Sequence, residues 1–530
     1  MLGKGFATFL LTGVTASGKT EVYLQLAAEA IEGGLPVLVL VPEIALISQM
    51  ERRFRARFGD CVAVLHSGLS AGERYDQWQR ILRGRATIAV GARSAIFAPF
   101  RRVGLVIVDE EHDSSYKQEQ GLRYNARDLA VVRAKQDGAA ALLGSATPSI
   151  QSYFNVCRQK FREITLTERF EQRPMPQIQV VDLGRTGDRR GARSYITDPL
   201  RVAMQQALDR GEQVMLFLNR RGFANYPVCA ACGQALRCKN CDITLTLHQE
   251  ANAYRCHYCG YSRAVTSDCP ACGAARIKPL GLGTEKIEDA VQNLFPAARV
   301  SRMDRDTTAR KGALLKILKD LRSRKIDVLV GTQMIAKGHD FPHITLVGII
   351  CADLSLNFPD FRAGERTFQV LAQVAGRAGR GAAPGKVILQ TFNPNHFSIM
   401  CAQAQDFKSF YDQEIRYRQS LLYPPFARLI QLKISGRSES RTADHAAALG
   451  RACTDLKAAR PATFEPVAVL GPLEAPLARI QSRYRWQILL KSTAARLLHQ
   501  FVDRLATENP ALFGRRRVKV AVDVDPYQMM

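Results

Sequence analysis

The first 165 residues alternate short unbroken apolar runs with helical stretches. Val37–Val41, Thr87–Val90, Leu105–Val108 and Ala140–Leu143 are apolar at nearly every position. Continuous runs of this length mark strands buried on both faces, as in a parallel sheet covered by helices. Thr20–Glu32 carries a helical pattern that Gly33-Gly34 ends. Met1–Val14 holds a lysine and then Phe6–Leu11, a faint imitation of a secretory leader. It runs straight into a glycine-rich loop, so it is read as the first strand.

Residues 168–196 are rich in Arg, Pro, Gly and Gln and are expected to be a linker. A second strand-and-helix pattern starts at Gln213–Leu218. It breaks off for a cysteine-rich stretch over 229–280 and resumes at Asp327–Val330, Ile344–Ile350 and Lys386–Gln390. After residue 395 a polar helix leads to Tyr423-Pro-Pro-Phe426. The tail then reads strand, helix, strand, strand, helix, strand over 427–435, 439–458, 465–470, 482–491, 493–507 and 516–523. That order predicts a split βαβ, ferredoxin-like domain.

Gly13-Val14-Thr15-Ala16-Ser17-Gly18-Lys19-Thr20 matches the complete phosphate-loop pattern between a strand and a helix. Its glycines let backbone N–H groups curl around phosphates. Lys19 offers a cation to the β- and γ-phosphates and Thr20 a hydroxyl to Mg²⁺, and the helix N-terminus adds positive charge. Leu105–Val108 then delivers Asp109-Glu110-Glu111-His112. Three acids at a strand end repel one another without a cation. Mg²⁺ accounts for them, with Asp109 holding the metal and Glu110 polarising the attacking water. Ser145-Ala-Thr147 follows the next strand as a candidate coupling element. Further on, Gln373, Gly376, Arg377, Gly379 and Arg380 end a helix. Arg377 and Arg380 are three apart, so a helix would place both on one side to reach a γ-phosphate across a cleft. Gly331–Asp340 fits a loop that touches nucleic acid and nucleotide. Between Asp113 and Asp128, Tyr116, Lys117, Arg123, Tyr124 and Arg127 interleave aromatic and basic side chains, a pattern suited to stacking on bases and meeting phosphates.

Cys229, Cys232, Cys238, Cys241, Cys256, Cys259, Cys269 and Cys272 form four Cys-x-x-Cys pairs. Each pair presents two thiolates to one ion, and two pairs complete a closed tetrahedral site of the structural zinc type. Eight ligands make two sites. Iron–sulfur runs have other spacings. Sequential and nested pairing both remain open on spacing alone. His248 and His257 lie nearby and are read as surface residues. The remaining cysteines are scattered, which favours a reducing cytoplasmic setting.

Lys plus Arg is 74 against 49 Asp plus Glu, a formal charge of +25. That excess points to a polyanionic partner, the bland alternative being a generally arginine-rich composition. No apolar run approaches the roughly 20 residues of a membrane span.

These motifs, in this order, resemble the PriA family, bacterial primosomal replication-restart helicases of helicase superfamily 2. The resemblance rests on Gly13–Thr20, Val41–Gln49, His66–Gly68, Gly91–Phe97, Asp109–His112, Gly144–Pro148, the eight cysteines, Ala352–Arg366 and Gln373–Arg380. It implies an α/β chain with two RecA-like P-loop motor lobes, the first at 1–167 and the second at 197–228 with 281–394. A two-zinc module at 229–280 is inserted in the second lobe, and a C-terminal α+β ferredoxin-like domain covers 395–530. It implies a 3′→5′ DNA helicase driven by ATP and Mg²⁺ that recognises stalled or repaired forks and starts primosome assembly. Implied partners are single-stranded and forked DNA, primosome proteins and the single-strand-binding protein, with the chain acting as a monomer. It also implies nested zinc sites: Cys229, Cys232, Cys269 and Cys272 for one ion, Cys238, Cys241, Cys256 and Cys259 for the other. The family carries roughly 200 residues, one or two small domains, before the phosphate loop. Here only residues 1–12 precede Gly13. In the family that upstream region grips the nascent strand's 3′ end and reads adenine, so the resemblance ties fork-end recognition, adenine selectivity and the strength of unwinding to it as well as to the motor.

Overall fold

The computed structural model describes residues 5–529 except 170–174, 186–194, 219–226, 230, 242, 249–251, 276, 280–282, 305, 309, 311, 337–340, 342, 380–383 and 515–516. The chain forms two compact units, Met1–Pro174 and Met175–Met530.

The first unit is a seven-stranded sheet. β1 (Ala7–Gly13), β2 (Val37–Leu40), β3 (Val62–Leu65), β4 (Ile88–Gly91), β5 (Leu105–Val108), β6 (Ala140–Ser145) and β7 (Arg162–Leu166) lie in the order β3-β4-β2-β5-β6-β1-β7. Every pairing is parallel. The helices are α1 (Lys19–Glu32), α2 (Ile44–Phe58), α3 (Ala71–Leu82), α4 (Ala126–Asp137) and α5 (Ile150–Cys157). Strands β2 to β5 are buried at every position, which is why they read as unbroken apolar runs. The sequence pattern missed β3, although its run Val62–Leu65 is as apolar and as long as β2, β4 and β5. It also missed β7, an edge strand whose half-exposed residues make no such run. Parallel strands bring the ends of β1, β5 and β6 side by side, and loops at those carboxyl ends are where ligands bind in such sheets.

The second unit contains three sheets and a small ribbon. β8 (Gln177–Asp182) and β9 (Gln213–Leu218) precede the strands of the cysteine module: β10 (Pro227–Cys229), β11 (Thr246–His248), β12 (Ala253–Arg255), β13 (Ser262–Ala264) and β14 (Ile277–Pro279). β15 (Val300–Met303), β16 (Val328–Gly331), β17 (Ile344–Ile350) and β18 (Lys386–Thr391) follow. The large parallel sheet has the order β15-β16-β9-β17-β18-β8. Its helices are α6 (Asp198–Asp209), α7 (Thr284–Leu294), α8 (Ala313–Arg322), α9 (Gln333–Ala336), α10 (Asp353–Leu356) and α11 (Ala363–Ala375). β8 corrects the linker expectation. Residues 177–182 are an edge strand on β18, and edge position leaves them half-exposed and polar enough to pass for a loop.

α12 (Phe397–Ala404) and α13 (Phe407–Ser420) lead to the tail. There β19 (Arg428–Gly436), α14 (Glu439–Ala459), α15 (Pro461–Phe464), β20 (Ala468–Ile480), β21 (Arg483–Ser492), α16 (Ala495–Glu508) and β22 (Val518–Val524) form an antiparallel sheet of order β20-β21-β19-β22. This is the expected split βαβ arrangement. Side chains alternate between its faces. Ile430, Leu432 and Ile434 pack with residues of α14 and α16, whereas Leu429 and Leu489 join a core with Cys238, Cys256, Tyr258 and Phe361. Both faces are covered, so the cysteine module is fastened to the tail.

Candidate nucleotide and metal sites

β1 ends at Gly13 and the chain turns through Val14–Gly18 into α1. The turn needs left-handed backbone at Ala16 (φ 65) and Gly18 (φ 88). A β-carbon on Gly13 would sit 2.6 Å from Ser17 Oγ, so glycine is required there. Lys19 Nζ curls back to donate to Gly13 O (2.9 Å) and Val14 O (3.2 Å), which stations its charge over the loop. Thr20 lies in the first turn of α1. Ser17 Oγ is buried with no hydrogen-bond partner among the described residues. An ammonium, an unanswered hydroxyl and a helix N-terminus converge there, and these groups fit a bound phosphate.

β5 delivers the acids. Tyr23 donates its hydroxyl to Asp109 Oδ1 at 3.0 Å. Burial, and then the charge of Glu110, push the Asp109 carboxyl up to about 7. Glu110 holds a left-handed φ of 46°, a strained conformation for a side chain with a Cβ. Its Oε2 is buried without a hydrogen bond, 3.7 Å from His112 Nδ1. Among the described residues no Lys or Arg lies within ion-pair distance of either carboxylate. Lys19 offsets part of the Asp109 charge from farther away, and the pair fits a divalent cation and a water.

Glu111 stands apart from the other two acids. It is 1% exposed. It accepts from Ser149 N (2.6 Å), Ser149 Oγ (3.1 Å), Ser152 Oγ (2.7 Å) and Arg127 Nη1 (3.3 Å). It ties the β5 end to α4 and α5. His112 Nδ1 meets Ser145 Oγ at 2.7 Å, and Thr147 N donates to the same oxygen at 3.0 Å. The Ser145–Thr147 segment sits against His112 of the acidic tetrapeptide.

The aromatic and basic loop is also revised. Tyr116 is 1% exposed, and its hydroxyl donates to Asp109 O (2.6 Å) and Leu40 O (3.0 Å). It cannot stack on a base, but it bonds the loop directly to the acid strand. Lys117 is buried too. Tyr124 stays half-exposed and packs edge-on against Phe97 at 5.1 Å.

In the second unit Gln373 lies on α11. Arg377 is buried, but α11 ends at Ala375. The helix that carries Gln373 thus stops two residues before Arg377. Gly379 takes φ 66 against the backbone of Gly385 and breaks the helical path. Arg380 and Lys337–Asp340 lie outside the described residues. Gly331 ends β16, and Gln333–Ala336 form α9.

The cysteines gather into two sets, Cys229, Cys232, Cys269 and Cys272, and Cys238, Cys241, Cys256 and Cys259, with the Sγ atoms of each set within 4.8 Å of one another. The pairing is nested. Cys229–Cys272, Cys232–Cys269 and Cys238–Cys259 have Sγ separations of 3.7, 3.7 and 3.5 Å. A tetrahedron with about 2.3 Å Zn–S bonds has edges of about 3.8 Å, so the thiols fit zinc. Ala231, Asn240 and Tyr258 N–H groups donate to Cys229, Cys238 and Cys256 at 3.4 Å, which favours thiolate. Gly233, Gly260 and Gly273, each directly after the second cysteine of a pair, take positive φ. That Cys-x-x-Cys-Gly signal was readable in the sequence and was missed. His257 is neither surface nor ligand. It is 3% exposed and bonds Glu474 O through Nδ1 at 2.7 Å. The side chain of His248 lies outside the described residues.

Comparison with known proteins agrees with this architecture. Family models match for DEAD/DEAH box helicase over residues 2–156 and the helicase conserved C-terminal domain over 283–382. Others match for the PriA DNA helicase Cys-rich region over 238–263 and the primosomal protein N C-terminal domain over 419–527. The replication restart protein PriA of Bacillus subtilis (strain 168) is 43% identical over 522 residues, covering 98% of this chain and 64% of the relative. That of Synechocystis sp. is 43% identical, covering 99% and 63%. That of Treponema pallidum (strain Nichols) is 43% identical, covering 99% and 78%. This chain thus spans just under two thirds of the first two relatives. A solved structure of RecG bound to a three-way DNA junction covers 78% of this chain and 47% of its own at 18% identity and a TM-score of 0.44, a likeness too distant to inform function. With the ordered motifs, the nested cysteine sets and near-complete coverage at this identity, the chain belongs to the replication restart protein PriA family.

Proposed function

We propose that this chain is the motor of an ATP-dependent 3′→5′ DNA helicase that acts at stalled or repaired forks and initiates primosome assembly. The observation that carries this is the pair of half-buried carboxylates, Asp109 and Glu110, with no Lys or Arg in ion-pair distance among the described residues, at the carboxyl end of the sheet that also bears the phosphate loop. Bound ATP with Mg²⁺ supplies the bond to be cut and a divalent counter-charge. Backbone N–H groups of Gly13–Gly18 and the Lys19 ammonium grip the phosphates. Thr20 and Asp109 hold the cation, and Glu110 orients the attacking water and takes its proton. Gln373, Arg377 and Arg380 of the second lobe address the charge that develops on the γ-phosphate. The working division is a first lobe at 1–167, a second at 197–228 with 281–394 joined by β8, a two-zinc module at 229–280 and a tail domain at 395–530. Single-stranded and forked DNA, primosome proteins and the single-strand-binding protein are the partners, consistent with the +25 charge. No described helix is long and apolar enough to cross a membrane, and we place the chain in the cytoplasm as a monomer.

The test is phosphate release by the purified chain with and without single-stranded DNA, together with strand separation on partial duplexes carrying either a 3′ or a 5′ tail. DNA-stimulated hydrolysis that Lys19→Ala abolishes, and unwinding confined to the substrate of 3′→5′ polarity, are expected. Tight DNA binding with no stimulated hydrolysis would replace this reading with a non-catalytic scaffold. Metal analysis is expected to return two zinc ions per chain, and iron or a single ion would refute the sites as assigned.

A further inference from the structure

α11 carries Gln373 near its end and Arg377 just beyond it. Its first turn is held by the tail domain on two sides. On one side, Arg418 of α13 is 0% exposed and bridges Glu365 Oε2 (2.6 Å) and Glu414 Oε1 (2.8 Å), while its Nη1 donates to Pro424 O (3.2 Å). On the other side, Arg362 Nη1 donates to Pro526 O at 2.9 Å and Arg366 donates to Tyr527 O. The Tyr527 ring faces both guanidinium groups, 5.0 Å from Arg362 and 5.7 Å from Arg366. Arg366 is also paired to Asp360 at 2.9 Å. Asp360, Glu365 and Glu414 thus balance Arg362, Arg366 and Arg418. The second cysteine set reaches the same turn through aromatic rings: Tyr258 meets Tyr423 at 6.2 Å, and Tyr423 stacks on Phe361 at 4.7 Å.

Such a cluster is an expensive way to hold two elements together, since apolar groups of equal volume often stabilise as well or better. Fixed hydrogen-bond directions admit one orientation, which apolar packing does not enforce. Orientation matters here because α11 is a rod. Its 13 residues span roughly 20 Å at 1.5 Å each. A tilt of about 3° at the held end moves the far end by ~1 Å, and a 1 Å displacement of a group acting in a transition state costs about 100-fold in rate.

We propose that Arg362 and Arg366, by gripping Pro526 and Tyr527, are positioning residues that aim the arginine-bearing end of α11. The grip makes the tail domain part of the hydrolytic machinery rather than an appendage. The inference rests on the reading of Arg377 as a group that addresses the triphosphate, and the experiment separates the two.

DNA-stimulated ATP hydrolysis is measured for Arg366→Ala, Tyr527→Leu, Arg377→Ala and the double variant Arg366→Ala/Arg377→Ala, with zinc content and thermal midpoint followed in parallel. Tyr527→Leu keeps both backbone acceptors and removes only the ring between the guanidiniums. Arg366→Ala and Tyr527→Leu are expected to lower kcat about 10- to 100-fold. KM for ATP stays within about twofold, because ground-state grip on the nucleotide is assigned to the first unit. The double variant is expected to be no slower than Arg377→Ala alone, since a group that acts only by aiming another has nothing left to aim. Additive losses, or unchanged kcat in both single variants, would overturn the positioning role. Unchanged kcat in Arg377→Ala would instead overturn the reading beneath it. If Arg366→Ala holds fewer than two zinc ions, Tyr527→Leu and its double with Arg377→Ala decide.

Discussion

The two units treat buried acid in opposite ways. At the first turn of α11 the buried carboxylates Asp360, Glu365 and Glu414 are answered by guanidinium groups: Arg366 for Asp360, Arg418 for Glu365 and Glu414. At the end of β5, the half-buried Asp109 and Glu110 have no Lys or Arg in ion-pair distance among the described residues, and burial together with the charge of Glu110 pushes the Asp109 carboxyl up to about 7. The contrast repeats inside one tetrapeptide. Glu111, one residue on, is answered by Arg127 and two serines. Burying a charge without a partner is among the costliest things a fold can do. Where the protein supplies the cation, the acid is architecture. Where it supplies none at ion-pair distance, the acids keep their charge free for the role proposed above.

The comparison breaks most sharply on Glu110→Gln, which keeps shape and removes the proton acceptor. DNA-stimulated hydrolysis is expected to fall by about 10³ while nucleotide affinity is retained, as read by phosphate release beside a binding titration. Normal turnover would move Glu110 to the architectural class. Arg418→Met tests the other class. It leaves Glu365 and Glu414 buried without their partner and is expected to cost about 3–5 kcal/mol in the unfolding free energy of the second unit. Adding Glu365→Gln and Glu414→Gln is expected to recover part of that loss. Glu111→Gln sharpens the boundary within the tetrapeptide. It leaves the half-paired Arg127 guanidinium buried and is expected to cost about 1–3 kcal/mol in denaturant unfolding of the first unit, with nucleotide affinity little changed. The smallest effect is Tyr116→Phe, which removes one hydroxyl bonded to Asp109 O and Leu40 O. A loss of about 1 kcal/mol in stability is expected, with weaker DNA stimulation of hydrolysis than basal hydrolysis would suggest. Unaltered stimulation would disconnect the loop from the acids.

What the sequence determined unaided is what contiguous residues encode. Unbroken apolar runs announced the parallel strands β2, β4, β5 and β6 because double-sided burial acts on each residue separately. The phosphate loop, the acidic tetrapeptide, the Cys-x-x-Cys turns and the strand-helix order of the tail are likewise local. Only the tertiary structure decided which acid is answered. Arg127, Ser149 and Ser152 lie 16, 38 and 41 residues from Glu111, and nothing near Glu111 in the chain names them. The same holds for Tyr116, whose burial depends on Leu40, 76 residues away. It holds for β8, an edge strand only because β18 lies beside it, and for Arg362 and Arg366, whose acceptors lie 164 and 161 residues away. Charge compensation is a property of a neighbourhood in space, and a chain reveals its spatial neighbourhoods only when it is folded.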